Sequence, residues 1–325
     1  MKIVFFDVQD YEIGFLEKNC PKDVEAQYFQ GPIEAFEGDV DVDGICVFAI
    51  NPVRAEMLER FKNLKYIFTR SVGFSQIDKD YCISHGIKVF NTPHYGDYTI
   101  AEFAFGLLLS SVRKIRQSSD AIKNGNVDLG NFVGMELYSK TIGIVGLGAI
   151  GQKVAKIAEG FSMNVICYDL FEKEGYNYVS LDELCEKSDV ITLHAPLTEN
   201  NRHLFNDKMF EKMKDGVVLI NTARGEIVDT QALLRAIENG KIAFCALDVL
   251  ECETLMMNSE KCCADCQEEN CLKKFFLNQK LLSHPNVLIT PHVAYDTKEA
   301  IERILKITMD NISSAKDGKY ENMVF

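Results

Sequence analysis

The chain has 325 residues, 47% of them apolar, and a formal net charge of −13. That length and apolar content suffice for two domains with their own cores. The excess of carboxylates repels phosphate backbones and argues against nucleic-acid binding, and no apolar run reaches the length of a membrane span.

The opening stretch, "MKIVFFDVQD", is too short and too quickly acidic for a signal peptide and reads as a first β-strand. Further apolar, β-branched runs follow at "DGICVFA" from Asp43, "LKYIFTR" from Leu64 and "IKVFNTP" from Ile87. Thr99 and Glu102 form a capping-box pattern for a helix running through "IAEFAFGLLLSSVRKIRQSSDAIKNG" to Asn124, roughly 37 Å long at the usual rise. Beyond it come "TIGIVGLG" from Thr141, "NVICYDL" from Asn164, "DVITLHAP" from Asp189, "GVVLINTAR" from Gly216, "IAFCALDV" from Ile242 and "NVLITPH" from Asn286. Ser180 with Glu183 caps a helix between two of these runs, and Gly240 sits where a C-cap glycine belongs after "QALLRAIEN". A last amphipathic helix, "KEAIERILKITMDNISSAKDG", carries Ile301, Ile304, Leu305 and Ile312 near helical spacing and is expected to return to the first domain.

Continuous apolar runs alternating with helices predict parallel sheets covered on both faces, a doubly wound α/β fold. The long helix from Thr99 separates two sets of strands, so two such domains are expected. Residues 1–98 plus 296–325 form the first and 99–295 the second, with hinges near Asp97–Thr99 and Ala294–Asp296.

"GIVGLGAIGQKVAKIAEGF" places Gly146, Gly148 and Gly151, with Ala149 and Ile150 between them, in a G-x-G-x-x-G pattern. A lone pattern of this kind is weak evidence, but here it follows a strand and opens a helix. Gly146 permits the tight turn, Gly148 lets the backbone approach a pyrophosphate, and Gly151 allows close helix–strand packing. The helix N-terminus favours the anion through its free N–H groups and dipole. Asp169, 18 residues beyond Gly151, ends the next strand where a ribose-binding carboxylate belongs. No Arg follows it directly, so the pattern selects NAD over NADP. The competing reading is a glycine-rich turn without a ligand and an Asp that merely caps.

Three later strand ends, "NTARGEIVD", "ALDVLECE" and "TPHVAY", carry polar residues at the carboxyl edge of the second sheet, where α/β proteins bind ligands. With these motifs, and with "TRSVGFSQID", "NTPHYGDYTIAEFAFGLLL", "SDVITLHAPLT" and "MKDGVVLINTARGEIVD", the chain resembles the D-isomer-specific 2-hydroxyacid dehydrogenase family over nearly its whole length. Within the family it is most similar to the D-lactate dehydrogenase branch. The resemblance implies two Rossmann-like domains with a cleft between them, residues 1–98 plus 296–325 as a flavodoxin-like substrate domain and 99–295 as the dinucleotide-binding, NAD-binding domain.

The resemblance implies that Arg224, Glu253 and His292 share the chemistry. A guanidinium grips the substrate carboxylate and polarises its carbonyl, and an imidazolium delivers the proton. A carboxylate beside the His keeps it protonated and fixes its tautomer. Read alone, Arg224 is also consistent with a solvated strand end, Glu251 with the role given to Glu253, and His292 with an ordinary loop histidine such as His284. The family further implies substrate contacts at the backbone amides of Ser71, Val72 and Gly73, at Tyr95, and at Arg224 and His292. It places His194, Pro196, Thr222, Ala223 and Asp248 beside the cofactor.

The implied activity is NADH-dependent reduction of a small 2-oxo acid, pyruvate favoured, to the D-2-hydroxy acid. A bulkier 2-oxo acid, or glyoxylate or hydroxypyruvate, is the alternative. From another class, a non-catalytic NAD-sensing protein would share the fold. No regulatory domain follows Phe325 and no clear phosphate-binding cluster is present, which argues against D-3-phosphoglycerate. The family implies a homodimer, or an assembly of dimers, built through the cofactor domain and the helix from Thr99.

Eleven cysteines, several of them single within strands and helices (Cys46, Cys167, Cys185, Cys245), suit reduced thiols in a cytoplasmic protein. Cys262, Cys263, Cys266 and Cys271 cluster in an insert after Glu253. Structural zinc sites usually use two separated pairs of ligands, so no metal is assigned. Lys261, Lys273 and Lys274 would favour redox sensitivity, but a solvent-facing insert with no dedicated role is the expectation.

Overall fold

The computed structural model describes residues 1–48, 52–253 and 271–325. The chain divides into two compact units, Met1–Tyr95 with Asp296–Phe325, and Gly96–Tyr295.

The first unit contains strands β1 (Lys2–Phe5), β2 (Glu25–Tyr28), β3 (Gly44–Val47), β4 (Tyr66–Thr69) and β5 (Lys88–Phe90). They pair in parallel in the order β2-β1-β3-β4-β5, a flavodoxin-like arrangement. Helices α1 (Asp10–Asn19), α2 (Ala55–Leu58) and α3 (Lys79–Ser84) connect them. Alternation sorts the strand residues to two faces. Ile3 and Phe5 join Leu16 of α1 on one, while Val4 and Phe6 join Leu58 of α2 and Cys82 of α3 on the other.

The second unit runs α4 (Asp97–Val112), α5 (Ile115–Lys123), β6 (Thr141–Val145), α6 (Ala149–Gly160), β7 (Asn164–Tyr168), α7 (Leu181–Lys187), β8 (Val190–Leu193) and α8 (Asp207–Lys212). It continues with β9 (Val217–Asn221), α9 (Thr230–Glu238), β10 (Ile242–Leu247), α10 (Cys271–Ser283) and β11 (Val287–Ile289). The parallel sheet has the order β11-β10-β9-β8-β6-β7. From β6 the chain first goes out to β7 and then reverses to β8, so the switch point lies between β6 and β8. Helices α4 and α6 pack on one face and α7–α10 on the other. The last helix, α11 (Lys298–Lys316), belongs to the first unit and places Leu305, Met309 and Ile312 on its sheet beside Phe5 and Phe68.

Each of the ten apolar runs contains a strand. The sequence missed β2, an edge strand whose "EAQY" alternates exposed and half-buried residues. The long helix is also corrected. It begins at Asp97 with Gly96 as N-cap rather than Thr99, and it breaks after Val112. Lys114 is left-handed, φ 49°, and a separate helix starts at Ile115. Met135 N–H takes the Val112 carbonyl at 2.9 Å, and Gly134 sits so close that a Cβ would lie 2.2 Å from that oxygen. The returning segment therefore caps α4 where the sequence pattern ran on.

Candidate active site

The turn after β6 is shaped by its glycines. Gly146 has φ +91°, a region L side chains rarely adopt, and a Cβ there would sit 2.6 Å from Ala195 N in the turn after β8. A Cβ on Gly151 would stand 2.1 Å from the Gly146 carbonyl oxygen, so α6 packs this closely only without one. Gly148, the N-cap of α6, faces open space, with nothing within 4 Å of a built Cβ. The first turn of this 12-residue helix, with Ala149 and Ile150, is thus open to an anion. Asp169, just past β7, accepts from Leu147 N at 2.6 Å and Phe171 N at 3.0 Å. Lys173 Nζ donates to the Leu147 carbonyl at 3.1 Å.

The turns after β8 and β9 meet at His194. Its ring nitrogens pair with Thr192 Oγ1 at 2.8 Å and Thr222 Oγ1 at 3.4 Å. Desolvation pushes this imidazole down to about 3, so it stays neutral at physiological pH. Pro196 is exposed, and its carbonyl accepts from Asn201 Nδ2 at 2.8 Å. Ala223 N donates to Asn221 Oδ1 at 2.9 Å, while Asn221 Nδ2 donates to the Arg224 carbonyl at 2.9 Å. The buried Asn221 side chain therefore pins the turn that carries Arg224.

Beyond β10 and β11, two further turns converge. His292 Nδ1 and Glu253 Oε1 are 2.7 Å apart, and the other Glu253 oxygen accepts from Leu250 N at 3.2 Å. Burial by itself lowers the His292 pKa. The hydrogen bond and charge of Glu253 outweigh that and leave it raised, with Arg224 opposing and Asp248 assisting. His292 is itself left-handed, φ 54°. Buried Asp248 holds that turn, accepting from Thr290 Oγ1 at 2.6 Å, Val293 N at 3.0 Å and Ala294 N at 2.8 Å. Glu251 is committed elsewhere. It accepts from Thr230 Oγ1 at 2.7 Å, Thr230 N at 3.0 Å and Lys274 Nζ at 3.1 Å, and it pairs with His203 Nε2 at 2.7 Å.

Residues 105–294 match the family model for the D-isomer specific 2-hydroxyacid dehydrogenase NAD binding domain. The chain belongs to this family. Its cofactor is NAD, and it is an oxidoreductase. The dehydrogenase is 40% identical over 277 residues to an aromatic 2-oxoacid reductase of Clostridium sporogenes, covering 83% of this chain and 82% of the relative. It is 39% identical over 267 residues to a hydroxypyruvate reductase of Thermotoga maritima, covering 81% of each. It superposes on the D-lactate dehydrogenase of Aquifex aeolicus, solved with NAD and lactic acid, with a TM-score of 0.86 at 35% identity, covering 99% of this chain and 98% of that one.

The turn after β6 fits the dinucleotide of this family. The open position at Gly148, the N-terminus of α6 and the Asp169 carboxylate supply room, N–H donors and an acceptor where pyrophosphate and ribose require them. The sequence reading placed Asp248 beside the cofactor. Its carboxylate also holds the turn bearing His292, with Oδ1 accepting from Thr290 Oγ1 and Val293 N and Oδ2 from Ala294 N.

In the first unit, Ser71, Val72 and Gly73 form the turn after β4, and Tyr95 is buried beyond β5, its carbonyl accepting from Arg303 Nε at 2.7 Å. Among the described residues, the amides of Ser71, Val72 and Gly73 donate to no protein acceptor. Just before them lies Arg70, its side chain fully buried and ion-paired to Glu12 at 2.7 Å.

Sequence reasoning did not single out Asn221 or Gly225. The signal for Gly225 was "NTARG" itself. A Cβ there would lie 2.0 Å from the Leu250 carbonyl carbon, so the Arg224 turn packs backbone to backbone on the turn leading to Glu253.

Cys262, Cys263 and Cys266, with Lys261, lie outside the described residues. Among the described residues, seven cysteines, Cys46, Cys167, Cys185 and Cys245 among them, are free thiols. Cys271, at the start of α10, is disulfide-bonded, which departs from the expectation of reduced thiols.

Proposed function

We propose that the dehydrogenase reduces pyruvate, or a 2-oxo acid of similar size, to the D-2-hydroxy acid. The observation that carries the reaction is the His292–Glu253 pair at 2.7 Å, set on turns that also bring up Arg224, and the small substrate is supported by the likeness to a D-lactate dehydrogenase solved with lactic acid. Arg224 holds the substrate carboxylate and polarises the 2-oxo group. NADH supplies the hydride that reaches C2. His292, its Nδ1 taken by Glu253, presents Nε2 to the carbonyl oxygen and delivers the proton. Glu253 keeps that proton on the ring before the reaction and stabilises the charge distribution during it. In the reverse direction neutral His292 accepts the hydroxyl proton. Ser71, Val72 and Gly73 offer amides to the carboxylate, and Tyr95 contributes from the same unit. Gly146–Gly151, Asp169, His194, Pro196, Thr222, Ala223 and Asp248 line the cofactor.

A bulkier substrate is the second reading, supported by 40% identity to a relative named for aromatic 2-oxo acids. The deciding experiment follows NADH oxidation with pyruvate and with phenylpyruvate, with chiral analysis of the product. Faster turnover of pyruvate to D-lactate supports the first reading, and a preference for phenylpyruvate replaces it with the second. Alanine at His292 should abolish turnover while NADH still binds.

The proposed homodimer draws support from α5, which has no buried residue, and from the exposed apolar Ile115, Ile122, Leu129 and Val133 in and after it. Light scattering at micromolar concentration checks it, and a monomer there refutes it. The proposed cytoplasmic location rests on the buried free thiols.

A further inference from the structure

The turn Ser71–Gly73 is fixed by its carbonyls. Thr92 N donates to the Ser71 carbonyl at 2.9 Å, and Asn91 Nδ2 donates to the Val72 carbonyl at 2.8 Å. A trans peptide is planar, so its C=O and N–H point opposite ways. Fixing the Ser71 carbonyl aims the Val72 N–H, and fixing the Val72 carbonyl aims the Gly73 N–H. Both amides then emerge on the side away from Asn91 and Thr92, with no protein acceptor among the described residues.

Asn91 is itself held by residues far along the chain. Its N–H donates to the Asn322 carbonyl at 3.1 Å, and its carbonyl accepts from Asn311 Nδ2 at 2.8 Å. Asn322 Nδ2 closes the ring on Asn311 Oδ1 at 2.9 Å. The segment around Asn322 lies antiparallel along the free edge of β5, with Val324 N bonded to the Val89 carbonyl at 2.8 Å. Phe325 then packs edge-on against Phe74, the residue after Gly73, with ring centroids 5.8 Å apart. Covering an exposed sheet edge would explain the backbone bonds alone. It does not require the side-chain path from Asn322 through Asn311 and Asn91 to the Val72 carbonyl.

We propose that Asn91 is a positioning residue for substrate binding, and that residues 320–325 lock it in place. Asn91 aims the Gly73 amide at the substrate carboxylate. This inference rests on the reading that the Ser71–Gly73 amides bind that carboxylate. A hydrogen bond to a charged group contributes about 1.5–3 kcal/mol, which sets the size of the effect at about 10- to 100-fold in KM.

The test compares three variants of the full chain by steady-state kinetics with pyruvate, or with whichever 2-oxo acid turns over fastest. NADH affinity is read by fluorescence titration, and folding by thermal melting. Asn91→Asp keeps the side-chain shape but removes the donor. It should raise KM for the 2-oxo acid about 10- to 100-fold with kcat and NADH affinity nearly unchanged, the signature of lost ground-state binding. Asn322→Gly keeps the left-handed backbone (φ 59°) but removes the bond to Asn311, and should raise KM several-fold. It carries the test if Asn91→Asp does not fold. Val72→Pro deletes one loop amide and probes the underlying reading directly. An elevated KM in Val72→Pro with unchanged KM in the two asparagine variants overturns the inference and leaves the carboxylate loop standing. An unchanged KM in all three removes the loop reading, and the inference with it.

Discussion

Replacing Glu253 by Gln keeps the shape of the acid and most of its hydrogen bonding but removes its charge from beside His292. The two groups are 2.7 Å apart, with side chains 32% and 29% exposed. Charges about 4 Å apart interact by about 4 kcal/mol at an effective dielectric of 20. Solvent screening at this exposure reduces that to about 2 kcal/mol. The sign follows from which form reacts. Glu253 raises the His292 pKa against the lowering effect of burial, so its loss lets the ring deprotonate at lower pH. Reduction of the 2-oxo acid needs protonated His292, and its alkaline limb should move down. Oxidation of the D-2-hydroxy acid needs neutral His292, so its acid limb should move down as well. At alkaline pH the variant should reduce substrate about 10- to 50-fold more slowly, converging on the native rate as pH falls. The assay is kcat/KM against pH in both directions. A uniform loss of rate with neither limb displaced would refute the assignment of Glu253 as the group that holds the proton on His292.

Gly225→Ala forces a Cβ to within 2.0 Å of backbone at Leu250, so it should cost about 3 kcal/mol or more and depress turnover, read from the urea midpoint and kcat. Native stability with full activity would contradict the backbone contact. Asp169→Asn should weaken NADH binding about tenfold and narrow the preference over NADPH, measured by fluorescence titration of both cofactors. Unchanged selectivity would remove Asp169 from the ribose site. Arg70→Met strands the buried Glu12 carboxylate and should cost about 3–5 kcal/mol, whereas Arg70→Met with Glu12→Met should recover much of it, checked by thermal melting. A loss in the double variant equal to the sum of the Arg70→Met and Glu12→Met losses would mean the pair is not coupled.

The sequence by itself determined ten of the eleven described strands and the dinucleotide turn. Both are local signals. Apolar runs such as "GVVLIN" can only be buried on both faces, and Gly146 and Gly151 are required by φ and by close approach along a few neighbouring residues. The edge strand β2 escaped because an edge buries one face at most and leaves no continuous run. The break at Lys114 escaped because its cause, Met135 capping Val112, is 23 residues away in sequence. The choice between Glu251 and Glu253 belonged to the tertiary structure for the same reason. Two residues apart, with Cys252 between them in the left-handed region, they point to different partners. Glu251 turns to Thr230, His203 and Lys274, and Glu253 to His292. The family resemblance pointed to Glu253, but composition and spacing by themselves give both acids the same chemistry. Only the packing of the turns after β9, β10 and β11 decides which carboxylate meets the imidazole.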